Sequence, residues 1–185
     1  MKLRNLFTVG TVILSLAAGN ALAQDQKAKH QAEIKKVTQT SLQKFYKAKP
    51  ELKGEVEKAP GYAVFTTYGL SFLIGGAGGK GLTHDNKSKK DTFMEMAQAS
   101  AGIQAGIAES ETLIVFPTQK ALNEFVTTGW EASGGGSVQA GAAGKSVGPA
   151  SGGTTDALYY TLTKNGLQVG MAVAGAKFWK DKELN

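Results

Sequence analysis

The stretch GLSFLIGGAGGKGLTHD, residues 69–85, decides the fold because its glycines have two opposite interpretations. Gly76, Gly78 and Gly81 satisfy the dinucleotide-binding spacing G-x-G-x-x-G, and an apolar run precedes them. A dinucleotide site, however, needs its glycines where a strand turns into a helix, since the free amides of that helix hold the pyrophosphate. The residues after Gly81, LTHDNKSKK, contain no apolar helical stripe. The stretch therefore indicates a glycine-bearing strand that runs into a turn.

Similar segments recur further along the chain. GIQAG (102–106), SVQAG (137–141) and GLQVG (166–170) share the order apolar, Gln, small, Gly. In a strand, this order places the glutamine and the last glycine on the same face. Glycine inside a strand costs stability. The repetition therefore predicts either strong coiling of the sheet or the close approach of another element, with chance in a glycine-rich chain as the alternative.

The remaining segments supply the other elements of the fold. Residues 26–48 carry apolar side chains at helical spacing and Pro50 follows, which predicts an N-terminal helix. YAVFTTYGLSFLIGG predicts two strands joined near Tyr68-Gly69, and TFMEMAQASAGIQAGIA and TLIVF predict further strands. A short helix should run from Pro117 to Gly129.

The C-terminal region contains the clearest turn signal. Asn165-Gly166 predicts a two-residue hairpin turn, which would pair Leu162 with Val169 on one apolar face. Residues 130–153 are compatible with a strand or a loop. We predict an α+β fold in which the N-terminal helix and short helices pack on a strongly coiled, Gly-rich antiparallel sheet, barrel-like or sandwich-like.

The first 23 residues are typical of a secretory signal peptide. Lys2 and Arg4 precede an apolar run, and Ala21-Leu22-Ala23 is a small-x-small cleavage signal. We expect cleavage near Ala23-Gln24, a single domain at residues 24–185 and a periplasmic or secreted location. The chain contains no cysteine, which excludes disulfides and lipidation of a cysteine.

The positive charge of the chain is carried almost entirely by lysine. The formal net charge is +6, and Arg4, inside the predicted signal peptide, is the only arginine. Two-pronged guanidinium contacts to phosphates or to guanine are therefore absent from the mature chain. A lysine-only surface suits attraction to an anionic membrane better than nucleic-acid recognition, although the lysines can also serve solvation alone.

Lysines in three places are candidates for contact with anionic lipid. They are Lys29, Lys36 and Lys47 on the predicted N-terminal helix, Lys80 among the glycines, and Lys87, Lys89 and Lys90 in the polar segment HDNKSKKD. The helix is amphipathic, so it can rest on a membrane, on the protein core, or on both. The sequence does not choose between these lysine groups.

Catalytic and metal-binding patterns are weak. The chain has no cysteine and two histidines, of which His84 is expected in a polar turn beside Asp85. The dipeptide His-Asp is too small a set for a metal site, and no pair of carboxylates stands out. We predict no enzymatic activity, no cofactor and no metal.

The order of motifs from residue 31 to 180 resembles that of the SYLF-domain family. The matching segments are APGYAVFTTYGLSFLIGGAGGKGL, ASAGIQAGIAESETLIVFPTQKALNEFV, GGGSVQAGAAGKSVGPA and NGLQVGMAVAGA. The family's glycine-rich turn corresponds to Gly75, Gly76, Gly78, Gly79 and Gly81, and its L-I-V-F strand and the phenylalanine of the following helix correspond to Leu113–Phe116 and Phe125.

The resemblance implies a lipid-binding module. Eukaryotic members bind phosphoinositides and other anionic lipids, fungal members also bind actin, and bacterial members are exported. Because the mature chain lacks arginine, tight phosphoinositide recognition is not expected, and actin is not an expected partner of an exported protein.

The leading hypothesis is a non-catalytic envelope protein that binds anionic lipid. The alternative is a structural or stress-related envelope protein that binds protein partners or glycan through residues 134–153. A small outer-membrane barrel is a third class, against which the polar end KDKELN and the helical start argue. An enzyme using His84 as its base has the least support.

Overall fold

The computed structural model describes residues 10–67, 78–98, 110–131, 157–163, 166–169 and 176–185, with side chains from residue 24 onward except at positions 98 and 131. Three helices lie in these ranges: α1 (Gly10–Ala48), α2 (Glu51–Lys58) and α3 (Gln119–Thr128). The predicted N-terminal helix and the helix after Pro117 are confirmed. None of the helices in these ranges combines the length and the apolar character needed to cross a membrane.

Helix boundaries follow local signals in the sequence. Pro50 separates α1 from α2, as its ring and missing N–H predict. The Thr118 hydroxyl caps α3 by accepting a hydrogen bond from the Ala121 amide at 3.1 Å. Gly129 ends α3 with φ 76, a left-handed conformation that glycine adopts without strain.

The described strands form one sheet of eight strands, and every pairing in it is antiparallel. They are β1 (Gly61–Thr66), β2 (Gly78–Asp85), β3 (Asp91–Gln98), β4 (Glu111–Phe116), β5 (Trp130–Glu131), β6 (Leu158–Thr163), β7 (Gly166–Val169) and β8 (Ala176–Lys180). Their spatial order is β5-β8-β3-β2-β1-β4-β6-β7. The predicted α+β class is therefore confirmed.

The predicted closure into a barrel-like or sandwich-like sheet is wrong for the described residues. β5 and β7 lie at opposite ends of the strand order and do not pair, so the described sheet is open and not strongly curled. The physical reason is that helices already cover both faces, so the sheet buries its apolar side chains without folding on itself.

The two faces of the sheet bury different side chains. Val64 and Leu113 pack with Phe45 of α1 and Leu52 of α2 on one face. On the other face, α3 packs against an aromatic cluster. The cluster comprises Phe65, Phe116, Phe125, Trp130, Tyr159 and Phe178. Alternating residues along β1 and β4 therefore serve two cores, which explains why both strands are mostly apolar.

Gly79 and Gly81 are required because the neighbouring strand approaches them closely. A Cβ at Gly81 would clash with the Val64 carbonyl oxygen and with the Phe65 ring. A Cβ at Gly79 would lie 2.8 Å from the Thr66 carbonyl oxygen. Close approach of a neighbouring strand therefore explains why glycine occupies these two positions. Gly75, Gly76 and the segments 102–106 and 137–141 lie outside the described residues.

The C-terminal hairpin is present with a different register. Tyr160 pairs with Val169 and Leu162 with Leu167, so the predicted pairing of Leu162 with Val169 is wrong by two residues. The connection is residues 164–165, which lie outside the described part of the chain. A shift by two keeps every side chain on its face, so the apolar pattern that set the prediction is satisfied by both registers.

Candidate functional site

The turn between β2 and β3 is held by one aspartate. Asp85 Oδ1 accepts hydrogen bonds from the amides of Lys87 and Ser88, both at 2.8 Å. The Asp85 carbonyl oxygen accepts from the Lys89 amide at 2.8 Å, and the Asp85 amide donates to the Lys90 carbonyl oxygen at 3.0 Å. We call residues 87–90 the lysine turn. Its backbone is fixed by four hydrogen bonds that all involve Asp85.

The lysine turn is also tied to two helices. Gln119 of α3 donates to Asp85 Oδ2 at 2.9 Å. The Ser88 amide is the main cause of a lowered Asp85 pKa, and Gln119 adds to it. Asn86 donates to the carbonyl oxygen of Val56 at the end of α2, at 2.7 Å. These contacts fix the position of the turn relative to the helices.

The three lysines of the turn are exposed to solvent. Lys87, Lys89 and Lys90 are all in the exposed class, and none forms an ion pair with a carboxylate in the described ranges. Like charges so close in sequence repel one another, and the backbone hydrogen bonds of the turn hold them together. The arrangement concentrates positive charge at one end of the hairpin.

The candidate lysines of α1 are more dispersed. Lys29 pairs with Asp25 at 2.6 Å, and both side chains are more than half exposed. Lys36 and Lys47 are exposed on the same side of the helix, but eleven residues separate them. At 1.5 Å per residue, this spacing is about 16 Å. These positions therefore offer single charges rather than a cluster.

Lys80 is paired inside the fold. Its ammonium donates to Glu95 Oε1 at 2.7 Å and to Asp181 Oδ2 at 2.6 Å, and its side chain is 17% exposed. Burial alone would lower the Lys80 pKa, but the hydrogen bonds that its ammonium donates to Asp181 and Glu95 raise that pKa above the usual value. The charge of Lys80 is therefore balanced by neighbours within the sheet.

His84 lies on β2 and not in the polar turn that the sequence suggested. Its Nδ1 is 2.7 Å from Asp91 Oδ1, so its partner is Asp91 and not Asp85. Lys35 of α1 reaches Asp91 Oδ2 at 2.9 Å, and the Tyr62 ring lies 5.3 Å from the His84 ring. Burial alone would raise the Asp91 pKa, but hydrogen bonds from His84 and Lys35 lower it. The group fastens α1 to the sheet.

A second contact fastens α1 further along the helix. Glu111 at the start of β4 is 1% exposed, and its Oε1 accepts from the Ser41 hydroxyl at 3.0 Å and from Lys44 at 2.7 Å. Lys35, Lys44 and Glu111 were not predicted from the sequence. For the two lysines a signal was available in their position on α1, because Lys35 and Lys44 directly adjoin the buried residues Ile34 and Phe45.

Two further predictions concern metal binding and the segment 134–153. No group of three potential metal ligands occurs among the residues that the structure describes. The glycine-rich segment 134–153, the alternative interaction region, lies outside them.

The fold and the site together define a class of protein. It is an α+β domain that has helices on both faces of an antiparallel sheet and a fixed lysine turn. Residues 97–185 match the family model described as Ysc84, Las17-binding protein actin regulator. The chain is 31% identical over 154 residues to Beta cell expansion factor A of Aeromonas veronii, over 82% of this chain and 57% of that protein.

A second relative comes from yeast. The chain is 30% identical over 138 residues to LAS seventeen-binding protein 3 of Saccharomyces cerevisiae, a match that covers 70% of this chain and 30% of that protein. The chain belongs to the Ysc84/SYLF-domain family, and the predicted resemblance is confirmed. It spans just over half of the bacterial relative and under a third of the yeast one.

Proposed function

We propose that this protein is a non-catalytic lipid-binding protein of the cell envelope that contacts anionic phospholipid through the lysine turn. The observation that carries the proposal is the set of exposed lysines Lys87, Lys89 and Lys90 on a backbone fixed by Asp85. A fixed turn loses little conformational entropy on contact, and each lysine near an anionic surface contributes about 1 kcal/mol.

The lysine turn is preferred to the other candidate lysines for reasons of geometry. Lys80 is engaged with two carboxylates, and Lys29 has a nearby acidic partner. Lys36 and Lys47 remain exposed on α1, where they can add long-range attraction. Because α1 is fastened to the sheet through Asp91 and Glu111, we assign it primarily to the fold.

The proposed location is the periplasm or the exterior, after removal of the predicted signal peptide. The names of the family model and of the yeast relative refer to Las17 and to actin regulation. Since the chain covers 30% of the yeast protein, we do not extend those partners to it. Anionic lipid fits both the lysine-only surface and the envelope location.

Vesicle sedimentation tests the proposal. We compare binding to neutral phosphatidylcholine vesicles with binding to vesicles that also contain an anionic phospholipid. The variant Lys87→Glu/Lys89→Glu/Lys90→Glu should lose at least about 3 kcal/mol, or about a hundredfold, because three favourable contacts become repulsive. Binding should weaken as salt shortens the Debye length from about 30 Å at 0.01 M to about 8 Å at 0.15 M.

The matched control changes charge by the same amount on α1. Lys29→Glu/Lys36→Glu/Lys47→Glu lowers the net charge as much as the turn variant does, but leaves the turn intact. We expect a much smaller loss for this control. Equal losses in both variants would show a diffuse charge effect, and equal recovery of the wild type with neutral and anionic vesicles at low salt would refute lipid binding by charge.

A further inference from the structure

A groove lies beside the lysine turn, between the β2–β3 hairpin and helix α3. Its volume is about 310 Å³, and its lining includes Thr83 and Thr92 from the strands and Asn123 and Val126 from α3. Lys90 of the lysine turn also lines it. Ligand sites start at about 300 Å³, so the groove suits a headgroup rather than a whole lipid.

The strand side of the groove contains a buried hydroxyl that lacks a partner. Thr83 is 1% exposed, and its Oγ1 has no hydrogen-bond partner among the residues that the structure describes. Thr83 faces Thr92 directly across the β2–β3 pair, and both line the groove. A buried hydroxyl without a partner costs free energy, and a polar ligand in the groove would offset that cost.

The charges at the groove select a particular kind of ligand. The Lys90 ammonium favours a phosphate, while the Asp85 carboxylate, which also lines the groove, disfavours a second negative group. Asp85 already accepts bonds from two backbone amides and from Gln119, so it orders the turn and stays ionised. A phosphate that carries neutral hydroxyl groups fits both charges.

We propose that this groove binds the headgroup of a single phospholipid whose phosphate carries a polyol, as in phosphatidylglycerol. The phosphate pairs with Lys90, and the headgroup hydroxyls bond with Thr83 and with the Asn123 amide on α3. This inference rests on the proposed function, because the lysine turn must first bring the protein to an anionic surface. Phosphatidylserine has the same net charge, but its headgroup carboxylate would meet Asp85.

The test compares vesicles that contain phosphatidylglycerol or phosphatidylserine at equal mole fraction in phosphatidylcholine. The full chain should bind the phosphatidylglycerol vesicles about fivefold more tightly, which is the net worth of about one hydrogen bond. Thr83→Val keeps the shape of the side chain and removes the hydroxyl. It should lower the ratio of the two dissociation constants below the wild-type value, although the repulsion between Asp85 and the phosphatidylserine carboxylate remains, and it should not lower the unfolding midpoint.

A second variant tests the groove from the helix side. Asn123 is exposed on α3, so Asn123→Trp should fold and fill the groove, and it should also remove the preference. Thr128→Trp is the matched control, because Thr128 is exposed at the end of the same helix and does not line the groove. This control should keep the wild-type ratio.

Each outcome decides a different point. Equal binding of the wild type to both anionic vesicles, or an unchanged ratio in Thr83→Val and Asn123→Trp, overturns the headgroup site and leaves lipid binding standing. Absence of binding to either vesicle overturns the proposed function itself. Soluble glycerophosphoglycerol provides a further test, in which the amide NMR signals of the groove are followed. If these signals shift at concentrations similar to those of the vesicle lipid, the ligand is a soluble polyol phosphate and not a membrane lipid.

Discussion

The two ends of the β2–β3 hairpin use lysine in opposite ways. In the body of the hairpin, Lys80 is mostly buried and lies within 2.7 Å of carboxylate oxygens of Glu95 and Asp181. At the turn, Lys87 and its neighbours are exposed and form no ion pair with a carboxylate of the described residues. The difference shows that a lysine stabilises the fold where a carboxylate lies within ion-pair distance. The charge of an exposed lysine that forms no such pair can attract a ligand.

The largest effect is expected in the body of the hairpin, at Gly81. Gly81→Ala should lower the free energy of unfolding by about 3 kcal/mol, since the added Cβ clashes with backbone and ring atoms that cannot move independently. Urea unfolding followed by circular dichroism measures the change. Gly78→Ala is the control, because its Cβ meets the Met96 carbonyl oxygen at an ordinary 3.7 Å. Equal effects at the two positions would contradict the close approach at Gly81.

The next effect concerns the paired lysine. Lys80→Met should cost about 2 kcal/mol, less than a fully buried pair, because Lys80 keeps some solvent contact and Asp181 retains its bonds from the Glu183 and Leu184 amides. Lys87→Met should change stability by less than about 0.5 kcal/mol. Chemical denaturation of both variants checks the contrast, which fails if the two losses are similar.

A smaller effect should appear in acid. The Asp91 pKa is lowered in the folded protein, so its contribution to stability is fully present above the unfolded value of about 4 and is lost as pH falls through the folded value. Asp91→Asn should flatten the dependence of the unfolding midpoint between about pH 5 and about pH 2. Asp25→Asn, which removes a carboxylate at an exposed position on α1, is the matched control.

The smallest effect on stability is expected at the turn itself. The variant Lys87→Glu/Lys89→Glu/Lys90→Glu should unfold within about 0.5 kcal/mol of the wild type, since these side chains are exposed and form no ion pair within the described part of the chain. Thermal and urea unfolding measure this. A loss of several kcal/mol would mean that the lysines are structural, and the reduced vesicle binding of the variant would then need another explanation.

The sequence predicted the parts of this fold that depend on periodicity. Helical spacing predicted α1, and the missing helical stripe after Gly81 predicted that no helix follows it, where the structure has β2. The hairpin register could not be decided, because Leu167 and Val169 share one face and either can oppose Leu162. A one-dimensional pattern specifies the face of a side chain but not its partner.

The candidate site was predicted only in part, because the sequence shows which lysines are neighbours along the chain but not which residues meet in the fold. Lysines clustered in sequence were visible, so Lys87, Lys89 and Lys90 could be selected. The pairing of Lys35 with Asp91 joins residues far apart in the chain and depends on how α1 rests on the sheet. Nothing in the sequence reports that orientation, and the groove beside α3 was missed for the same reason.

In the lysine turn, the residues that fix the backbone differ from the residues that carry the positive charge. Asp85 and Asn86 hold the backbone through bonds to the turn itself and to α2, while the side chains at positions 87 and 90 extend outward. Lys89 has φ 58, a left-handed conformation that asparagine or glycine adopts easily and that β-branched residues resist. The charge that the turn presents to a ligand can therefore be redesigned at positions 87 and 90 without refolding the hairpin, whereas position 89 disfavours β-branched residues.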